Sequence, residues 1–378
     1  MTVHDPELSP AAELRATVSV PFSQARAMPK SVYTSEAFQA QELEHIFARE
    51  WLCAGRADTL KAPGDYLTIE IAGEPIIVLR DRDGILRAMS NVCRHRMSTL
   101  LEGRGSVRAI VCPYHAWSYN LDGSLRGAPA MTLNEGFCKD NVSLPAVRCV
   151  DWNGWILVTL NPEAPDPAEQ LKEVDDLVGY LDMGSYVEAF REEFRWNTNW
   201  KVLGENFMES YHLPVCHADT IGGFVSLEKM TCPEGHEAFN YHWILKTGDA
   251  PLTVAHPSNT TLKGEERVKT WLISIYPALF VTLTPGYFWY LSLHPDGPDH
   301  VKILYGGGMH PDYANDPDAQ QHFDALKALL AEVNEEDKGC TEKVYKGLCG
   351  QLSAPGALSH LERPNFEFAR YISSRIPA

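Results

Sequence analysis

No stretch of the sequence approaches the roughly 18 consecutive apolar residues that a membrane-spanning helix needs. No membrane partner is therefore expected. Positive charge is also in short supply. Lys and Arg number 33 against 50 Asp and Glu, so the formal charge is 33 − 50 = −17. An acidic surface argues against nucleic acid and anionic lipid as partners. The first residues, with His4, Asp5, Glu7 and Glu13, lack the basic and apolar regions of a secretory signal. A cytoplasmic location is the expectation. The nine cysteines are odd in number and scattered from Cys53 to Cys349, which argues against a secreted disulfide framework. In a reducing compartment, clustered cysteines point first to metal. A Gly-x-Gly-x-x-Gly nucleotide fingerprint is missing, as is a second cysteine cluster of plant-ferredoxin type.

What is present is ordinary globular composition, 44% hydrophobic and 22% charged over 378 residues, enough for two domains. Residues 1–44 read as an N-terminal arm, with a helix near Ser35–Glu50. From Trp51 to about Leu160, short β-rich runs alternate with Asp83-Gly84, Asp122-Gly123 and Asn153-Gly154, the punctuation of a small all-β domain. The run Asn161-Pro-Glu-Ala-Pro-Asp-Pro marks a boundary. Beyond it, helical spacing is expected over Ala168–Tyr180, around Lys201–His212 and over 317–348, with strands between 191 and 310. The domains are thus 1–44, 45–160 and 161–378.

Within the β-rich segment stand Cys93-Arg94-His95-Arg96 and, with sixteen residues between His95 and Cys112, Cys112-Pro113-Tyr114-His115. Two Cys and two His suit zinc or a [2Fe–2S] cluster by softness. Zinc fingers usually pair Cys with Cys and His with His. Here each loop supplies one of each, as a Rieske centre requires, with one iron taking both thiolates and the other both imidazoles. Trp117 and Tyr119 stand ready to shield such a cluster.

A second constellation lies at 199–217. Glu209 and His212, three apart, share a face if the helix continues. Pro214 is expected to end that helix and let the chain curl His217 back beside His212. Two histidines plus a carboxylate form the facial triad of non-haem Fe(II). The spacing is not that of the His-Glu-x-x-His zinc motif.

The first motif, with Trp117, Tyr119 and the turn Asp122-Gly123-x-Leu125, resembles the Rieske domain of ring-hydroxylating and related non-haem iron oxygenases. Met97 and Ala116 stand where that family often has glycine. The second stretch resembles the family's Glu-Asn-x-x-acid-x-Tyr-His-x-x-x-x-His motif. The resemblance implies that Cys93, His95, Cys112 and His115 hold the [2Fe–2S] cluster and that His212 and His217 bind the mononuclear Fe(2+). Glu209 would then bridge that site to a cluster histidine of a neighbouring subunit in a homo-oligomer, usually a trimer. The third iron ligand implied is Asp337, with Glu336 the alternative, in a run that could equally be a solvated acidic face. The implied fold is α+β: a small all-β Rieske domain plus a helix-grip (START-like) catalytic domain whose curved antiparallel sheet is wrapped by helices.

The implied activity is that of the catalytic alpha subunit of an oxygenase. It would use O₂ and NAD(P)H electrons delivered by a separate flavin/iron–sulfur reductase to oxidise a small molecule. The acidic bridge at Glu209, close after Asn206, looks like the carnitine/betaine/choline monooxygenase branch. Aromatic residues in Gly286–Leu291, with Tyr241, Trp243 and Trp271, could cage a trimethylammonium group through cation–π attraction. They could equally be ordinary β-sheet aromatics, or line a pocket for an arene hydroxylase or O-demethylase. Outside the oxygenases, a Rieske electron-transfer protein would have no use for Glu209, His212, His217 and a late carboxylate.

Overall fold

The structure, a computed structural model, describes residues 8–246 and 252–377. The start of the N-terminal arm, residues 1–7, lies outside the described residues. The chain divides into two compact units, 47–167 and 1–46 with 168–378. The N-terminal arm thus belongs with residues 168–378.

The 47–167 unit is built of strands. They are β1 (Leu52–Arg56), β2 (Asp65–Ile71), β3 (Glu74–Arg80), β4 (Leu86–Ser90), β5 (Arg104–Ser106), β6 (Ile110–Val111), β7 (Ser118–Tyr119), β8 (Leu125–Gly127), β9 (Ala146–Trp152) and β10 (Trp155–Thr159). Seven form one sheet in the order β1-β10-β9-β4-β3-β2-β5, and β6-β7-β8 form a second. The hairpin β9–β10 turns on Asn153 and Gly154, both at positive φ, as a two-residue turn of the hand that suits twisted strands requires. Ala72-Gly73 makes the same kind of turn between β2 and β3, although Ala is an unfavourable residue there.

The other unit opens with α1 (Pro10–Val18), α2 (Lys30–Thr34) and α3 (Glu36–Glu42). The helix expected near Ser35–Glu50 is present, as α3 continued by a wider π-helical turn from Leu43 to Phe47. After α4 (Pro167–Gln170) and α5 (Lys172–Val178) comes an antiparallel sheet. Its strands are β11 (Val187–Trp196), β12 (Met230–Thr231), β13 (Phe239–Leu245), β14 (Lys269–Ile275), β15 (Leu279–Leu283), β16 (Tyr287–Pro295) and β17 (Val301–Met309). Their order is β11-β17-β16-β15-β14-β13-β12, so β12 to β17 form a meander and β11 returns beside β17. The helices of this unit are α6 (Trp200–Met208), α7 (Leu213–Cys216), α8 (Pro311–Ala314), the 30-residue α9 (Ala319–Leu348) and α10 (Arg363–Arg375).

Helix α6 lies close on the sheet. A Cβ on Gly204 would come within 2.9 Å of the Phe280 ring, so this approach needs glycine. A buried ion pair anchors the arm to α6. Lys201 and Glu42 have fully buried side chains 2.8 Å apart, and Trp200 Nε1 also donates to Glu42. Helix α9 buries Leu326, Leu330, Val333, Asn334, Asp337 and Thr341, one continuous face at 3–4 spacing. Asp337 is therefore part of the face turned inward, and the acidic run around it is not uniformly solvated.

Candidate metal centres and the cavity beside one of them

In the 47–167 unit two loops repeat one geometry. The Cys93 carbonyl accepts from Met97 N–H and the Cys112 carbonyl from Ala116 N–H. Cys93 N–H donates to Ser98 O, and Cys112 N–H to Trp117 O. Met97 and Ala116 sit at φ 54° and 57°, the left-handed region that favours glycine. The two departures from the family pattern thus carry a conformational cost, while the loops still close.

The loops bring Cys93, His95, Cys112 and His115 together. Both cysteines are buried, and the two imidazoles stand 4.7 Å apart, edge to face. Trp117 stacks on His95 at 4.8 Å, and the Tyr119 hydroxyl lies 3.3 Å from the Cys93 sulfur. Burial pushes the Cys112 thiol up, but the backbone N–H groups of Tyr114 and His115, with Cys93 and Ser98, outweigh it and leave the group below its ordinary range. Nδ1 of His95 is buried without a hydrogen-bond partner. A thiolate-favouring Cys112 sulfur and an unsatisfied imidazole nitrogen are what an iron–sulfur cluster would complete.

In the other unit, α6 ends at Met208, before Glu209, whose backbone is extended. Glu209 and His212 therefore do not share a helix face. Glu209 instead folds over the turn that follows. Its carboxylate accepts from the backbone N–H groups of Tyr211 and His212 and, at 2.7 Å, from Nδ1 of His212. Pro214 does not end a helix either. It sits in the first turn of α7, where its missing N–H would have no partner anyway. The curl after α7 needs Gly222, since a Cβ there would lie 2.6 Å from the Leu213 carbonyl.

His212, His217 and Asp337 present ligand atoms that all lie within 4.8 Å of one another. Asp337 Oδ1 is 3.1 Å from His217 Nε2 and 3.6 Å from His212 Nε2, and accepts from Asn206 Nδ2 at 2.7 Å. Glu336 points elsewhere. Its Oε2 accepts from His217 Nδ1 and from the Thr220 hydroxyl, each at 2.7 Å. Each imidazole thus turns one nitrogen toward Asp337 and gives the other to a second carboxylate, the arrangement that orients metal-binding histidines. Burial alone would lower the His212 pKa, but Asp337 and Glu209 push it up to about 10. Burial would raise Asp337, yet the two histidines bring it down to about 2. A compact set of two imidazoles and one carboxylate is a set that fits Fe(II).

A cavity of about 370 Å³ reaches these three residues. Its lining is mainly apolar, with Phe207, Tyr287 and Trp289 among it. Tyr241, Trp243 and Trp271 are not part of it. They cluster 5.3–6.2 Å apart on the opposite face of β13 and β14, with the Lys269 ammonium 5.3 Å over both tryptophans. For these three the ordinary sheet-aromatic reading holds.

Residues 183–378, more than half the chain, match the family described as the ring hydroxylating alpha subunit (catalytic domain), and residues 50–142 match the Rieske [2Fe-2S] domain. The chain belongs to the ring-hydroxylating oxygenase alpha-subunit family. It is 35% identical over 336 residues to the carnitine monooxygenase oxygenase subunit of Acinetobacter pittii, spanning 85% of this chain and 84% of that one. It is 28% identical to the chloroplastic choline monooxygenase of Atriplex hortensis, over 93% of this chain and 75% of the other. In fold it matches a quaternary ammonium Rieske monooxygenase crystallised with L-carnitine, at TM-score 0.80, 24% identity, and 95% and 99% coverage. Naphthalene 1,2-dioxygenase from Rhodococcus sp. matches at TM-score 0.80, 19% identity, and 97% and 98% coverage. As an alpha subunit of this family, the chain is an O₂-using enzyme that carries a Rieske cluster and a mononuclear iron and draws electrons from a reductase. The alternatives of a zinc module and a bare electron carrier are set aside. No helix among the described residues is long and apolar enough to cross a membrane.

Three features were not read from the sequence. One is the pairing of Cys216 with Cys340 in a disulfide, which ties α7 to α9 beside the triad. Another is His242, whose Nε2 meets the Ser210 hydroxyl at 2.6 Å and whose pKa burial lowers to about 3. The third is Lys246, which lines the cavity.

Proposed function

We propose that this protein is the terminal oxygenase of a system that oxidises a quaternary ammonium compound, by monooxygenation leading to N-demethylation or C–N cleavage. In this reading Cys93, His95, Cys112 and His115 hold the [2Fe–2S] cluster, and His212, His217 and Asp337 hold Fe(II). With iron bound, the triad supplies O₂ activation at the positions its three ligands leave open. Asn206 fixes the Asp337 carboxylate, while Glu209 and Glu336 fix the two imidazole rings. Glu209 also serves as the bridge to a cluster histidine of a neighbouring copy, in a ring of three. The reductase is a separate flavin/iron–sulfur protein, and the site of action is the cytoplasm.

The observation that carries the substrate class is the character of the cavity next to the triad. Phe207, Tyr287 and Trp289 line it, and each aromatic face is worth about 0.5–2 kcal/mol to an alkylammonium. The nearby charges agree. Against the +2 of Fe(II), Glu209, Glu336 and Asp337 contribute −3, so +2 − 3 = −1, a balance that favours a cation alongside. The relatives named for carnitine and choline point the same way.

The test is single turnover of chemically reduced, iron-loaded protein with O₂. One pool offers N-methylated betaines, carnitines and choline, and the other aromatic acids. Formaldehyde, or a released amine, from the first pool alone is the expected result. A hydroxylated ring from the second pool alone would replace this reading with arene hydroxylation.

A further inference from the structure

Among the described residues, Lys246 is the one lysine or arginine that lines the cavity. It is half-buried, and among the described residues its ammonium has no hydrogen-bond or ion-pair partner. Burial brings its pKa down to about 8. An ammonium drawn from water without a counter-charge is costly, and the cost is relieved when a ligand supplies that charge.

Two further donors stand beside it without partners. Thr270 is 3% exposed and Thr282 5%, both line the cavity, and neither hydroxyl makes a hydrogen bond among the described residues. A buried hydroxyl left unpaired is costly, and a ligand acceptor relieves that cost. The register explains their grouping. Ile244 on β13 pairs with Thr270 on β14, and Leu272 on β14 pairs with Thr282 on β15. Side chains of one sheet face recur every second residue, so Lys246 is diagonal to Thr270, and Thr270 is diagonal to Thr282. The three make a polar row across an otherwise apolar wall.

The row is set apart from the triad. His242, on the same face of β13 as Lys246, is bonded to Ser210, next to Glu209. Lys246 follows four residues later, roughly 13 Å along the strand. The cavity therefore carries acidic groups and two imidazoles at one place and an unpaired ammonium with two hydroxyl donors at another. That polarity suits a molecule with opposite charges at its two ends.

We propose that Lys246, with the hydroxyls of Thr270 and Thr282, forms a carboxylate subsite, so that the substrate is a zwitterionic quaternary ammonium carboxylate and not a quaternary amino alcohol. This rests on the quaternary ammonium reading above. The carboxylate accepts from the ammonium and the hydroxyls, which leaves the trimethylammonium end toward the aromatic residues and the triad. A cation without a carboxylate leaves Lys246 unpaired and is repelled by it.

The test compares wild type, Lys246→Gln and Lys246→Arg as full-length, iron-loaded protein with reductase. The probes are γ-butyrobetaine, its methyl ester and choline. Wild type should oxidise γ-butyrobetaine far better than the ester or choline. In Lys246→Gln, KM for γ-butyrobetaine should rise roughly 10- to 100-fold, the range for losing a charged hydrogen bond, with kcat largely kept. KM for the ester and choline should stay level or fall. Lys246→Arg should restore the preference, and it also serves if Lys246→Gln does not fold. An unchanged KM for γ-butyrobetaine in Lys246→Gln overturns the subsite, as does choline matching γ-butyrobetaine in wild type. Both of those outcomes leave the quaternary ammonium reading intact. Oxidation of aromatic acids with none of the three probes consumed overturns that reading, and the zwitterion with it.

Discussion

Asp337 and its neighbour Glu336 offer a sharp test of the metal site, because they sit one residue apart and do different things. Asp337→Ala removes the oxygen that stands 3.1 Å from His217 Nε2 and 3.6 Å from His212 Nε2. Two imidazoles alone should not retain Fe(II), so the variant should lose its mononuclear iron. Glu336→Ala removes instead the acceptor of two 2.7 Å hydrogen bonds, from His217 Nδ1 and Thr220. The ligand nitrogen stays, but the ring loses its orientation and some basicity. Loss of such an outer partner weakens metal binding about 10- to 100-fold, which is roughly 1.4–2.7 kcal/mol. Thr220→Val keeps the Glu336–His217 bond and should weaken binding less than Glu336→Ala. The assay is anaerobic Fe(II) titration, with iron and acid-labile sulfide counted and the visible cluster spectrum as internal control. Wild type should reach about three irons and two sulfides per chain, and Asp337→Ala about two of each. Full third-iron retention in Asp337→Ala, with loss in Glu336→Ala, would move the ligand to Glu336 and refute the reasoning from these distances.

Three further perturbations probe other parts of the molecule. Met97→Gly and Ala116→Gly should each stabilise the cluster-bearing unit by about 1 kcal/mol, since both positions hold left-handed backbone; a lower thermal midpoint in both would show that their side chains contribute more than the strain costs. Lys201→Met leaves the Glu42 carboxylate buried and unpaired, and should cost about 3–5 kcal/mol in urea unfolding, most of it recovered when Glu42→Gln is added; a loss under about 1 kcal/mol would contradict the buried pairing. Glu209→Ala should keep both metal centres loaded while slowing electron delivery between copies, seen as a reduced cluster that persists in the presence of O₂ and substrate; normal turnover would remove Glu209 from the bridging role.

The chemistry-bearing residues were legible where the signal is local. Cys93 to His115 span 23 residues of two short loops, and the loop geometry is set by hydrogen bonds between residues four or five apart. His212 and His217 were legible for the same reason, though the reason given for their meeting was incomplete. Proline can end a helix or begin one, and residue type alone does not separate the two. Here the chain had already left the helix at Met208, so Pro214 became the start of the next. Asp337 is 120 residues from His217. The resemblance pointed to it, and composition alone could not separate it from Glu336, because both lie in one acidic run. The helical period separates them, since Asp337 continues the buried face of Leu330 and Val333.

The cavity wall was least legible, and the cause is the two-residue period of strands. Along β13 and β14 the aromatic and the polar residues alternate, so a shift of one position exchanges the two faces. Tyr241, Trp243 and Trp271 attract notice in the sequence as a binding cage, yet the register turns them away from the cavity, where Lys269 covers the two tryptophans. Their neighbours Ile244, Lys246, Thr270 and Leu272 face in. On β16 the parity runs the other way, and Tyr287 and Trp289 do reach the cavity. The aromatic residues that matter for a cation are therefore a minority of those the sequence displays. The residue proposed to read the other end of the substrate is a lysine that stands out because it has no hydrogen-bond or ion-pair partner among the described residues.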